Sequence, residues 1–154
     1  MAFGNMLTNA KFYNIAPQTT GNTDEQAAEV VDMDGYDGVL LMATAAGNTN
    51  TTGGYSKLYV MHASSSETTS MVSCTGTAAI PATTAVGFIN SSLMLLDVVK
   101  PLKRYVSATI TKDSTNEFDS AIHAIQYNIR KGPVVQPTTL YGVIASAVYV
   151  SPTS

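Results

Sequence analysis

Short apolar runs recur at fairly even spacing along the chain, separated by Gly, Asn, Ser, Thr and Pro. Several alternate with period 2, the pattern of a strand with one face buried. In "YVSATIT", Val106, Ala108 and Ile110 share one face and Tyr105, Ser107, Thr109 and Thr111 the other. In "KLYVMHA", Leu58, Val60 and His62 oppose Lys57, Tyr59 and Met61. Val, Ile, Tyr and Thr fit a pleated, half-buried surface and are abundant in these runs. Many short strands bounded by turn residues predict an all-β protein, a β-sandwich or barrel.

Two segments depart from this pattern. "DEQAAEVVDM" has the make-up of one or two helical turns capped by Asp24, so residues 24–31 are expected to be short helix or irregular. "FDSAIHAIQYNIRK" fits a helix through Ile122, Ile125 and Ile129. It equally fits a strand with Ala121, His123, Ile125, Tyr127 and Ile129 on one face. Periodicity does not separate the two; the β-rich surroundings favour the strand.

Composition narrows the class. With 45% apolar residues, the chain of 154 residues can bury a core without metal or disulfide, and residues 1–154 are read as a single domain. Charged residues are only 12%, about half the usual share, while Ser and Thr supply about a fifth. A net charge of −3 leaves little of the positive excess on which phosphate-backbone binding depends, so nucleic acid is not an expected partner. No apolar run approaches the ~20 residues of a membrane helix, and "MAFGNMLTNAKFYNIAP" lacks the basic-then-apolar order of a signal peptide.

Candidate chemistry is sparse. The acidic stretch from Asp24 to Asp37 hints at a calcium loop, but a loop begun at Asp32 meets Asp37 where glycine belongs and Ala43 where glutamate belongs. A tight turn built on Asp and Gly is the better reading. His62, His123 and Cys74 stand alone, without the paired spacing that sets two ligands on one face. No nucleophile elbow or phosphate-binding glycine loop is present, so neither catalysis, cofactor nor metal is expected.

The feature that stands out is a basic knot in "LLDVVKPLKRYVSATITK": Lys100, Lys103 and Arg104 around Pro101. Proline fixes its own φ and biases Lys100 towards extended backbone, so the segment reads as a stiff crossing. Arg130 and Lys131 form a second cluster at the exit of an apolar run. Two readings stand side by side. The cations are solvated strand ends that discourage edge pairing, or they form a rim that meets acidic patches on a partner.

Three segments together, "VVDMDGYDGVLLMA" (30–43), "LMLLDVVKPLKRYVSATI" (93–110) and "SAIHAIQYNIRKGP" (120–133), resemble the capsid cement or decoration proteins of tailed phages. The resemblance implies a jelly roll of about eight strands, with residues 119–130 as strand. It also implies a structural virion protein on the outer capsid surface, made in the host cytoplasm. Its partner would be the major capsid protein, and it would work as a homo-oligomer, dimer or trimer. Lys100, Lys103, Arg104, Arg130 and Lys131 become the expected contact residues, and 1–27 and 133–154 candidate extended arms. Two other readings remain: a different β-rich virion component (tail or head completion), and a carbohydrate-binding jelly roll. The absence of Trp counts against the second, because such modules stack sugars on exposed aromatics.

Overall fold

The computed structural model describes residues 9–22, 26–46, 56–80, 92–112 and 118–130. The strands in chain order are β1 (Lys11–Asn22), β2 (Gln26–Ala27), β3 (Val31–Asp32), β4 (Tyr36–Ala46), β5 (Ser56–Ala63), β6 (Val72–Ile80), β7 (Ser92–Val99), β8 (Tyr105–Lys112) and β9 (Phe118–Ile129). A 3-10 turn, Thr68–Ser70, precedes β6. Among the described residues all strand pairs are antiparallel, and they form two sheets. The first has the order β1-β9-β4-β7; the second runs β2-β8-β5-β6, with β3 also on β8.

Because β2 and β3 occupy successive stretches of one lane beside β8, the described strands fill eight lanes of a sandwich. The first and last described strands are neighbours, and each sheet alternates early with late strands. This is the double Greek key of a jelly roll, as expected. Residues 24–31 form no helix among the described positions. Residues 28–30 are irregular, and Ala28 N–H donates to the Ala108 carbonyl at 2.9 Å, so this stretch follows β8 instead of coiling. Residues 11–22 belong to the expected N-terminal arm, yet they are β1, paired along β9. The other end, 133–154, lies outside the described residues, as do Asp24 and Lys131.

The core lies between the sheets. Val39, Leu41 and Ala43 of β4 meet Ile122 and Ala124 of β9 on one side; Leu58 of β5 and Val106, Ala108 and Ile110 of β8 close it from the other. The alternation read in β5 and β8 therefore points the right way. Strand β8 goes further and buries both faces. On its second face the Ser107 hydroxyl donates to the Ala28 carbonyl at 2.8 Å, and the Thr109 hydroxyl sits 3.1 Å from Met61 Sδ. Buried hydroxyls need such partners, and here the β2–β3 segment and β5 supply them.

β9 is the strand that the β-rich surroundings favoured. Its core face is Ile122, Ala124 and Gln126, not the Ala121-to-Ile129 face. Gln126 reaches this apolar layer because its Nε2 donates to the Asp32 carbonyl at 2.6 Å, which offsets part of its desolvation.

Candidate functional site

The acidic stretch and the basic knot meet at one end of the sandwich. After β3 the chain reverses at Met33–Tyr36, where Tyr36 N–H donates to the Met33 carbonyl at 3.1 Å. Gly35 takes φ +87°, the conformation that a type II turn demands at its third residue. Asp32 stabilises the same reversal by accepting from Asp34 N–H at 3.0 Å. The turn reading of "DMDGYDG" is thus the one the fold uses.

Asp32 also grips Arg104. The guanidinium presents Nε at 2.8 Å to one carboxylate oxygen and Nη2 at 2.7 Å to the other, a planar two-point fit. Asp34 lies 3.9 Å from the same Nη2. The bond from Arg104 holds the Asp32 carboxyl below its ordinary range, and raises the Arg104 value further above its own. Arg130 makes the second pair, donating from Nε to Asp37 Oδ1 at 2.7 Å, with Nη2 on the same oxygen. Its backbone N–H binds the Gly35 carbonyl at 2.8 Å. Both arginines expected at a partner therefore spend their charge on the chain's own carboxylates, while more than half of each side chain stays exposed.

Lys103, Arg104 and Arg130 all line one shallow depression of about 270 Å³ beside Asp34 and Leu102. Lys100 and Lys103 are exposed, and Lys131 lies outside the described residues. Lys100 corrects the expectation of extended backbone. Its φ is +50°, the left-handed region, although it precedes proline. Its N–H donates to the Asp37 carbonyl at 2.6 Å, and this bond turns the chain out of β7. A β-branched or bulky residue rarely takes that conformation, and its strain is borne by the surrounding contacts.

Just beyond lies a cavity of about 390 Å³, lined by Val60, His62, Val98, Pro101, Leu102 and Val106. Leu102 is 89% exposed. His62 stands on β5 of one sheet, and His123 on β9 of the other, so the two imidazoles share no site. The Cys74 side chain lies outside the described residues. No cluster of three or more metal-ligating side chains occurs among the described residues.

A second surface was not legible as a site. On the solvent face of the first sheet, Phe12, Ile125, Leu40 and Asp97 are paired across four strands as one row. Asn14, His123, Met42 and Leu95 form the next. Leu93, Leu95 and Val99 project from β7 at 55%, 50% and 59% exposure. Tyr127 extends over β4, and its hydroxyl donates to Asp97 Oδ1; burial first, then this bond, pushes its phenol up to about 12. The signal was in "LMLLDVV", which lacks alternation, the mark of a strand apolar on both faces.

No family model and no curated protein matches the chain. Among solved structures, one described as Bacillus endospore appendages that form disulfide-linked pili aligns over 84% of this chain and 95% of its own, at 12% identity and a TM-score of 0.43. A second, the Eiger TNF of S. frugiperda, aligns over 84% of this chain and 98% of its own, at 5% identity and a TM-score of 0.43.

Proposed function

We propose that this chain is a structural virion protein that binds the outside of a phage capsid and cements neighbouring major capsid subunits. The observation that carries this reading is the convergence of the three segments resembling decoration proteins. Far apart in sequence, they supply β9, β4 and β7, three adjacent strands of one sheet, together with the crossing into β8. The resemblance thus falls on one continuous surface and the charged end beside it.

The mechanism is passive and needs neither catalysis nor cofactor. Each copy spans a junction between shell subunits, and its binding free energy adds to whatever holds them together. Subunits already fixed in a closed shell raise the effective concentration for every further contact, so weak individual contacts suffice. A chain that favours the mature shell over its precursor shifts that equilibrium by its difference in affinity. Because Arg104 and Arg130 are held by Asp32 and Asp37, the exposed cations left for an acidic shell patch among the described residues are Lys100 and Lys103.

Replacing Lys100 and Lys103 by Glu tests the reading with purified mature shells across a salt series. Occupancy is expected to fall for the variant, and wild-type occupancy to fall as salt screens the contact. Unchanged occupancy in both comparisons would remove the basic crossing from the contact.

A further inference from the structure

Protein interiors are close-packed and hold few voids larger than a water molecule. The cavity of about 390 Å³ beside the basic crossing departs from that rule and falls in the size range of small-ligand sites. Its lining includes Val60 and Val106 of the buried core, and also the exposed Val99 and Leu102, so it borders both core and surface. An apolar space that reaches core side chains suits a slender hydrocarbon group. What remains is the head that such a ligand carries.

The polar groups of the lining decide it. Lys100, His62 and Ser73 belong to it, and no Asp or Glu does among the described residues. Arg104 and Arg130 are each held by a carboxylate of the chain, whereas no such pair engages Lys100 among the described residues. An ammonium offers three donors and no acceptor, and a hydroxyl and an imidazole each add a donor. That set matches anionic oxygens and disfavours a second cation. The backbone points the same way. Lys100 takes φ +50° directly before Pro101, held there by its N–H bond to the Asp37 carbonyl at 2.6 Å. Strain that the surroundings hold at one residue is concentrated at ligand-binding positions.

We infer that this cavity binds a small amphiphilic anion, its apolar body against Val60, Val98 and Val106 and its carboxylate at Lys100. The ligand class is that of medium-chain aliphatic carboxylates. Burial of the hydrocarbon supplies most of the affinity, and the ammonium selects the sign of the head. Binding of this kind needs no shell and is independent of the capsid reading.

Octanoate, octanol and octylammonium, each titrated into the purified full chain, test it, with the methyl NMR shifts of Val60, Val98 and Val106 as readout. Octanoate is expected to shift these methyls with a dissociation constant in roughly the millimolar range, as about ten non-hydrogen atoms at ordinary ligand efficiency provide. Octylammonium should bind at least about threefold more weakly. Lys100→Gln, at an exposed position and without a branch at Cβ, should weaken octanoate about three- to fivefold, the upper range for an exposed ion pair, and leave octanol unchanged. Val98→Phe, which fills the cavity from its half-buried lining, should weaken all three ligands. Circular dichroism checks that this variant folds, and Lys100→Gln carries the test if it does not. Octanoate that leaves the three valines unshifted overturns the proposal. So does octanoate bound no better than octylammonium, or bound equally well by Lys100→Gln.

Discussion

The ring of Tyr127 lies directly over Gly38, in the space that a side chain on Gly38 would occupy. Gly38 pairs with Tyr127 on one side and Val99 on the other, so a bare position on β4 lets a phenol from β9 cross to Asp97 on β7. Here glycine serves the close approach; its neighbour Gly35 is the one that serves the turn. Three strands are tied together by one side chain.

Gly38→Ala is therefore expected to destabilise the fold by about 1–3 kcal/mol, the range for overpacking a close contact. Made on a Tyr127→Ala background, the same change should cost much less, because the ring it displaces is gone. Urea unfolding of the four chains of this double-mutant cycle gives the coupling directly. Equal costs in both backgrounds would separate the glycine from the tyrosine.

The Asp32–Arg104 pair makes acid stability a second readout. The Asp32 carboxyl titrates lower in the folded chain than unfolded, so the unfolded state binds more protons as pH drops. Its contribution is complete above the ordinary carboxylate value of about 3.9 and is lost as pH falls through the lower folded value. Asp32→Asn should flatten the stability profile between about pH 5 and 2 relative to wild type. Parallel profiles would mean that the pair contributes nothing to folding.

Alkaline pH has the opposite sign. Burial, with the Asp32 charge as a lesser cause, pushes the Tyr13 phenol up to about 12, and Tyr127 stands equally high. The folded chain then holds protons that the unfolded chain releases, so stability present below about pH 10 is lost as pH climbs towards the folded values. Absorbance at alkaline pH should reveal phenols that ionise late, and Tyr13→Phe should remove one of them. Eight phenols titrating together near the ordinary value would contradict the burial of Tyr13.

Gln126 holds a polar contact inside the apolar layer. Removing it as Gln126→Ala leaves the Asp32 carbonyl without that donor, next to the turn that orients Arg104. A cost of about 1–3 kcal/mol is expected from chemical denaturation.

These residues also show how far sequence reasoning reached. Strand positions in β5 and β8 were legible because strand-favouring residues alternate there with period 2. β9 was not, because Ala121, Ile125 and Ile129 outnumber the apolar residues of the face that is buried. Its orientation follows from partners distant in sequence: Gln126 on the Asp32 carbonyl, and Tyr127 over Gly38. The basic knot was visible as charge, yet its intramolecular carboxylate partners lie 72 residues away for Arg104 and 93 for Arg130. Local pattern carries no information on such pairings. Lys100 was misjudged for the same reason, since a bond to the Asp37 carbonyl overrides the bias imposed by Pro101.

The capsid reading itself is tested most directly by sedimenting the purified chain with empty mature phage heads and counting bound copies at saturation. A cement protein is expected to saturate at a number that scales with the shell subunits, over the whole head. Binding confined to a few copies at one vertex, or no binding at all, would contradict it.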